Sequence, residues 1–229
     1  MTKRVRRDDR VIGLDVAGRF GWVGVVLDGG GFVDAVVGTL VEVVAGAEPV
    51  VVVGADIPIG GDPGRGRRCD VAARRFVGPR AASVFAAPAV GEAGASYAET
   101  NATLAAAGRP KLSRQAWALL PRMREAADAA AVDQRLVEVH PEVSFRAMSG
   151  EALVWSKKSW NGQALRRGLL AAEGIVLPDE LPGIGGVPAD DLLDAAAVAW
   201  SARRIAMGIA STLPDPPERH AGRAVAIWY

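Results

Sequence analysis

Aspartates end or follow apolar segments at three places in this sequence. Asp15 lies near the end of the first β-branched run, and Asp56 follows the next long apolar run. Asp191 and Asp194 are three residues apart near the start of a predicted helix, so they project from one face about one turn apart. Because a buried carboxylate is costly unless a cation, hydrogen bonds or water compensates it, these acids are the first candidates for a functional site.

Clustered carboxylates are typical ligands of hard cations. Oxygen ligands suit Mg²⁺ or Mn²⁺, and two such ions about 4 Å apart can activate water and stabilise the leaving oxygen in phosphodiester hydrolysis. Glu138, on a further predicted strand, is a fifth candidate. Acids at strand ends and helix starts can converge at one rim of an α/β sheet, where sites usually lie. With two histidines and one cysteine in the chain, a zinc site is not expected.

Each acid also has a purely structural interpretation that the sequence leaves open. Asp190 can cap the last helix, Asp191 can interact with its dipole, and Asp194 can lie on a solvated helix face. The acids that follow strands can cap turns. Glu138 can instead lie on an exposed strand face or bond to His140, a histidine for which packing or hydrogen bonding is expected rather than catalysis.

Basic side chains are concentrated between residues 65 and 80, where six arginines accompany one acid, Asp70. Such a cluster forms either a solvated loop and helix face or a surface for an anionic ligand. Its members are Arg65, Arg67, Arg68, Arg74, Arg75 and Arg80. Farther along the chain, Trp155 and Trp160 can stack on bases, but packing in the core or in a lid is the interpretation that the sequence favours.

Composition bounds the class of protein. The chain has 229 residues, half of them hydrophobic, which suits one large domain with a sizeable core. Its net charge of +1 lacks the basic surplus of strong nonspecific nucleic-acid binders. A single cysteine, Cys69, permits no intrachain disulfide. No apolar run is long enough to span a bilayer, and no signal region follows the charged N-terminus, so a cytoplasmic protein without membrane contact is expected.

Hydrophobic periodicity predicts alternating strands and helices. Proline and glycine predict an irregular stretch at 79–95 and a turn at 62–64, and the segment 60–132, which shows no convincing strand, is expected to be a helical insertion or lid. A frayed basic tail is expected at 1–10. Predicted strands lie at about 11–17, 22–28, 32–38, 49–56 and 134–140, with a final strand or docked tail at 224–228. Predicted helices lie at about 39–45, 70–77, 96–107, 113–131, 142–148, 159–173 and 189–207.

The order of the acids resembles the ribonuclease H-like fold, and within it the acid arrangement of Holliday-junction resolvases. One acid lies on strand one, which begins a three-stranded meander. Another acid follows the next strand, and paired acids lie on a late helix. Short segments along nearly the whole chain are similar to the signature of domain-of-unknown-function family 429, described as a predicted nuclease of that fold. They are Gly13-Leu14-Asp15, Gly21-Trp22-Val23, Asp56-Ile57-Pro58-Ile59-Gly60, Arg68-Cys69-Asp70, Ser83-Val84-Phe85, Glu138-Val139-His140-Pro141-Glu142, Ser156-Lys157-Lys158, Asp190-Asp191-Leu192-Leu193-Asp194-Ala195 and Ala226-Ile227-Trp228-Tyr229.

The resemblance implies an α/β fold with a mixed five-stranded sheet flanked by helices. It implies one ribonuclease H-like domain over residues 1–229, with the helical insertion at about 60–132, and a nuclease that uses Mg²⁺ or Mn²⁺ to hydrolyse DNA or RNA. The implied catalytic residues are Asp15, Asp56, Glu138, Asp191 and Asp194, of which the four aspartates hold the metal. Either Glu138 or Glu142 is implied as a further ligand or a supporting group.

The resemblance also implies basic residues that bind the substrate. Lys157 and Lys158 would contact a phosphate or the leaving group, with a solvated helix start as the alternative. Arg68, Arg74 and Arg80 would line the inner face of the insertion. The long insertion is a departure from well-studied nucleases of this fold, and it would restrict the substrate to a small or specially shaped nucleic acid or to a different kind of molecule.

Two other functions compete with the nuclease. Leu14-Asp15-Val16-Ala17-Gly18 is similar to the first phosphate loop of actin-like kinases, but Ala55–Gly60 is only a faint echo of the second copy that those phosphotransferases carry. The near-neutral charge also fits a noncatalytic module that binds nucleic acid or protein on the same fold. The alanine-rich helix predicted at 189–207 is a possible homodimer face.

Overall fold

The computed structural model describes residues 9–61, 66–84, 87, 96–109 and 111–229 of the chain. Most of the basic tail, the turn at 62–64, Arg65, Phe85 and most of residues 85–95 lie outside the described residues. No helix within the described ranges is both long enough and apolar enough to cross a membrane.

Five strands form one mixed sheet in the order β3-β2-β1-β4-β5. The first three are an antiparallel meander, and β4 and β5 run parallel to β1. This confirms the predicted mixed five-stranded sheet of an α/β protein. The strands are β1 (Arg10–Val16), β2 (Trp22–Asp28), β3 (Gly31–Gly38), β4 (Val50–Ala55) and β5 (Leu136–Glu138).

Seven α-helices in the described part of the chain flank this sheet, and each lies within a few residues of its predicted position. Their starts follow from capping residues: Thr39 and Ser96 each form a capping box with a glutamate three residues later, and Ser159 accepts a bond from the Gly162 N–H. The helices are α1 (Leu40–Ala47), α2 (Arg68–Val77), α3 (Tyr97–Ala106), α4 (Arg114–Val132), α5 (Pro141–Ser149), α6 (Trp160–Ala172) and α7 (Ala189–Ala206). Three of them fall within 60–132, and the assignment of that segment as an insertion in a single domain stays a prediction.

Alternation along β1 assigns its side chains to two cores. Ile12 and Leu14 pack into a core with α1, α3 and α4. Val11 packs on the opposite side of the sheet into a core with α5, α6 and α7. Because successive strand residues point to opposite faces, Gly13 and Asp15 share the face of Val11 and lie under α7.

Gly13 allows α7 to lie directly on the backbone of β1. A Cβ atom at this position would lie 2.0 Å from the backbone nitrogen of Ala199 and 2.3 Å from the carbonyl oxygen of Ala195. The alanines on the contacting side of α7 are fully buried within the chain. The small side chains of α7 therefore serve a close helix–sheet contact, and a dimer role for this helix stays a prediction.

A C-terminal hairpin forms a second, two-stranded sheet from β6 (Thr212–His220) and β7 (Arg223–Trp228). The final strand was one of two predicted alternatives, whereas β6 was not predicted because prolines interrupt it and cannot donate ladder hydrogen bonds. The hairpin accommodates them in an irregularity, since the register shifts between Leu213 and Glu218 and the prolines fall in that gap. They are Pro214, Pro216 and Pro217.

We expect Gly13→Ala to destabilise the protein by about 3 kcal/mol or more, because the new methyl group overlaps backbone atoms that cannot rotate away. Gly168→Ala on α6 is the matched control, since a Cβ there meets nothing within 4 Å, and the change improves helix propensity. Urea unfolding measures both. Equal free energies of unfolding for the two variants would contradict the close contact between α7 and β1.

Candidate metal centre

The sheet register brings two of the predicted aspartates to one edge. β1 and β4 are parallel neighbours with Leu14 opposite Ala55, and the Asp56 N–H donates to the Leu14 carbonyl at 2.8 Å. Asp15 and Asp56 therefore leave adjacent strands at the same level. α7 begins at this edge and adds Asp194, so that one carboxylate oxygen from each aspartate lies within 4.8 Å of the others. We call Asp15, Asp56 and Asp194 the carboxylate trio.

The carboxylate trio is electrostatically costly. Asp194 is 1% exposed, Asp15 is also buried and Asp56 is partly buried. Burial raises the pKa of all three carboxyl groups because the charged forms lose hydration, and mutual repulsion raises the pKa of Asp15 and Asp194 further. Such a group is stable in its ionised form only with a compensating positive charge.

Lys157 supplies part of that positive charge. Its Nζ contacts Oδ2 of Asp194 and lies 3.9 Å from Oδ2 of Asp190. Burial lowers the pKa of Lys157, but the carboxylates of Asp194, Asp15 and Asp56 outweigh it and raise that pKa, so the ammonium stays charged. The same ammonium lowers the pKa of each member of the carboxylate trio.

The second carboxylate oxygen of Asp194 is available for a further interaction. Oδ1 is buried and has no hydrogen-bond partner among the described residues. An unsatisfied buried acceptor of this kind costs about 1–3 kcal/mol, and more when it is charged. Three carboxylates that can approach one point, one of them with an unpaired oxygen, fit a hard divalent cation.

A cavity of about 520 Å³ opens onto the carboxylate trio. Asp191 lines it one helical turn before Asp194 but lies outside the trio. Eight of the ten predicted site residues line this cavity: Asp15, Asp56, Glu138, Asp191, Asp194, Arg80, Lys157 and Lys158.

The register of β5 on β4 directs the Glu138 side chain away from the carboxylate trio. It lies opposite Ala55 on β4, and Ala55 lies opposite Leu14, so these three side chains share the face that α7 does not cover. Its carboxylate contacts the buried Arg67 guanidinium and accepts the Ile59 N–H at 2.7 Å. Burial raises the pKa of Glu138, the Arg67 guanidinium lowers it, and the resulting pKa is about 7. This geometry makes Glu138 a structural partner of Arg67.

A second group with metal-ligand atoms surrounds the same arginine. One atom each from Cys69, Asp70 and Glu138 lies within 4.8 Å of the others. The Arg67 guanidinium already contacts all three, at 3.0 Å from Cys69 Sγ and 3.6 Å from Asp70 Oδ1. Burial raises the pKa of the Cys69 thiol, which keeps it protonated. The Arg67 side chain therefore supplies the positive charge that the carboxylates of Asp70 and Glu138 need.

Glu142 is also ion-paired. Its carboxylate contacts Arg166 of α6, which is fully buried and donates to the Trp155 carbonyl at 3.2 Å. His140 caps α5, since its Nδ1 accepts the Glu142 N–H at 3.2 Å, and its Nε2 lies 3.4 Å from the Ser83 carbonyl. Glu142 and His140 therefore fix backbone segments around the cavity.

The predicted arginines divide by location. Arg68 is exposed and lies near Glu218, and Arg74 donates to the Val84 carbonyl at 2.6 Å; neither lines the cavity. Arg80 does line it, but its guanidinium donates to the carbonyls of Leu153 and Val154 at 3.2 and 3.0 Å. Arg80 thus holds the loop before α6.

Sequence reasoning missed the structural roles of Arg67 and Arg166. A signal existed for Arg166, which lies at spacing four between the buried residues Gly162 and Leu170 and so on the buried stripe of α6. No comparable pattern marks Arg67, because it precedes α2 and reaches Glu138 from 71 residues away.

A family model described as "Protein of unknown function (DUF429)" matches residues 13–219. The chain belongs to this family. The matched segment contains the whole carboxylate trio and Lys157. A search of curated proteins and a search of solved structures each found no match. The family description carries no activity, so the geometry of the site is the basis for assigning one to this DUF429 member.

We expect Asp15→Asn to raise the melting temperature of the metal-free protein by a few degrees at about pH 8. The folded-state pKa of Asp15 is raised, so its ionisation destabilises the fold increasingly as pH rises through that pKa, and the amide removes this effect. The gain should shrink as pH falls toward the unfolded pKa of about 3.9. Thermal melts in a chelating buffer at several pH values measure it.

Asp34→Asn is the matched control for this experiment. The exposed Asp34 accepts the Ala35 N–H at 2.8 Å, just as Asp15 accepts the Val16 N–H at 2.7 Å. The control therefore changes the same charge and keeps the same local bond away from the carboxylate trio. A gain of equal size in Asp34→Asn would contradict the repulsion within the trio.

Glu138→Met should destabilise the protein by about 3–5 kcal/mol, because it leaves the Arg67 guanidinium buried without its partner. Glu218→Met is the control, since its partner Arg68 is exposed and such a pair contributes about 1 kcal/mol or less. Guanidinium unfolding compares the two. The milder variant Glu138→Gln should bind Mn²⁺ with the affinity of the wild-type protein. A large loss of Mn²⁺ affinity in this variant would show that Glu138 acts on the metal.

Proposed function

We propose that this protein is a divalent-cation-dependent nuclease of the ribonuclease H-like fold. The order β3-β2-β1-β4-β5, in which an antiparallel meander precedes two parallel strands, supports the fold assignment. The acids of β1, of the end of β4 and of α7 meet at one edge of this sheet, as the resemblance implies. The carboxylate trio with its unpaired Asp194 oxygen is the observation that carries the proposal.

One divalent cation suffices for charge balance within the carboxylate trio. The ionised carboxylate trio carries three negative charges and Lys157 one positive charge, so two negative charges remain to be neutralised. One Mg²⁺ or Mn²⁺ ion would balance them, and Asp15, Asp56 and Asp194 would hold it. The Lys157 ammonium supplies the positive charge between Asp194 and Asp190.

The residues around this centre have separate tasks in phosphodiester hydrolysis. When bound, the cation would act as a Lewis acid on a phosphate oxygen and on attacking water. Lys157 favours the ionised form of Asp194 by lowering its pKa, and the exposed Lys158 lines the cavity where a phosphate would enter. Water attacks phosphorus, the phosphorus–oxygen bond to the leaving sugar breaks, and the water proton passes to solvent while the sugar oxygen is protonated.

Calorimetric titration with Mn²⁺ is the direct test of the metal site. Wild type should bind one ion, and Asp15→Asn/Asp194→Asn should bind none at millimolar levels, because it removes two of three charged ligands. Affinity should fall as pH drops below neutrality, since burial raises the pKa of Asp194 to about 7 and a protonated carboxyl does not bind the ion. Asp34→Asn is the control for loss of one surface charge.

Hydrolysis of labelled single-stranded and duplex DNA and RNA tests the activity. Wild type with Mn²⁺ or Mg²⁺ should cleave at least one of these substrates, and the double variant none, with its fold checked by circular dichroism. Metal binding without hydrolysis of any substrate would contradict the nuclease and favour a noncatalytic binding module. Absence of metal binding, also when a short oligonucleotide is present, would contradict the metal centre itself.

A further inference from the structure

The loop between α5 and α6 carries both lysines of the cavity, and a tryptophan lies on each side of them. Ser156, Lys157 and Lys158 line the cavity. Trp155 precedes this run directly, and Trp160 follows it after one residue. We call Trp155 and Trp160 the tryptophan rim.

The tryptophan rim is exposed, contrary to the packing that the sequence favours. The exposed fraction is 85% for Trp160 and 49% for Trp155. Trp22 and Trp200, in contrast, are buried and donate their indole N–H groups to glutamates. Large aromatic side chains left in water on either side of a cavity-lining segment are available for contact with a ligand.

The segment that carries the tryptophan rim, from the loop into the first residue of α6, is fixed to the rest of the fold. Arg80 donates to two carbonyl groups just before Trp155, and Arg166 donates to the Trp155 carbonyl itself. Ser159 caps α6 through the Gly162 N–H at 3.1 Å and donates to the Ser156 carbonyl at 2.8 Å. The backbone on both sides of the lysines is therefore held by hydrogen bonds, which fixes the points from which both aromatic side chains extend.

Aromatic faces beside ammonium groups match the two parts of a nucleotide strand. Bases stack on indole rings, and the phosphates between them are attracted to lysines. Inside a duplex the base faces are covered by their neighbours, whereas an unpaired strand can turn its bases outward to stack on a side chain. Lys158, exposed within the same loop, provides the charge complementarity to phosphate.

We propose that the tryptophan rim is a stacking site for bases of single-stranded nucleic acid, which feeds an adjacent phosphodiester to the carboxylate trio. This inference rests on the proposed nuclease and narrows its substrate class to unpaired strands. It assigns Trp160, the more exposed ring, the larger share of the contact and Trp155 the smaller. It assigns Lys158 to contact the phosphate between the two stacked bases.

Fluorescence anisotropy with a short labelled oligothymidylate and with a blunt duplex tests the inference. Measured in Ca²⁺, a hard cation that carboxylates also bind, wild type should prefer the single strand. Trp160→Ala should weaken that binding about tenfold and Trp155→Ala/Trp160→Ala roughly 100-fold, with little change for the duplex. Trp160→Phe should restore most of the affinity because it keeps an aromatic face.

Val132→Ala controls for loss of an exposed apolar side chain, since Val132 is 88% exposed and does not line the cavity. Calorimetry should show unchanged Mn²⁺ binding in every tryptophan variant. Equal affinity for both oligonucleotides overturns the inference, and so does single-strand binding that Trp160→Ala does not weaken. Metal binding and hydrolysis still test the nuclease in either case. Failure to bind either oligonucleotide also overturns the inference, and the calorimetry and hydrolysis experiments then decide on the nuclease separately.

Discussion

The close contact between α7 and β1 across Gly13 is the constraint on which the rest of the site depends. It sets the distance between the helix and the sheet at the backbone level, so that Asp194 on α7 reaches the level of Asp15 two residues beyond the glycine. A larger residue at position 13 would lift the helix and separate these carboxylates. The alanines of α7 follow from the same requirement, because small side chains permit short helix–sheet distances.

Concentrating carboxylates at this edge lowers the stability of the metal-free fold, and buried cations offset part of the loss. Lys157 pairs with Asp194 inside the cavity, while Arg67 pairs with Glu138 and Arg166 with Glu142 in its wall. A buried pair of this kind adds little net stability compared with apolar residues, but breaking one partner is severe. The site is therefore rigid in its wall and under repulsion at its centre, a combination that favours cation binding.

Two arginines and a lysine tie the loop before α6 to the elements that surround the carboxylate trio. Arg166 contacts Glu142 and the Trp155 backbone together, and Arg80 holds the two residues before Trp155. Lys157 extends from the same loop down to Asp194. The loop is thus tied to α5, to α6 and to α7, so its backbone keeps a fixed position relative to the carboxylates.

Local chemistry made much of the fold predictable from sequence. Apolar runs, glycines and capping residues act within a few positions of themselves, so the five strands of the main sheet and all seven described helices lie close to their predicted positions. The exception is β6, whose prolines break the strand signal and are tolerated only because the partner strand shifts register beside them. The acids were also identifiable, since a carboxylate at the end of an apolar run is anomalous wherever the chain places it.

The sequence by itself determined which elements form and which aspartates are candidates. The tertiary structure decided which acids meet: strand register turned Glu138 to the face opposite Asp15, and helix packing brought Asp194 to it. It also decided that Arg67 is buried and Trp160 exposed, each against the usual preference of its residue type. These outcomes depend on partners far away in sequence, whereas a linear pattern reports only on neighbours within a strand or a helical turn.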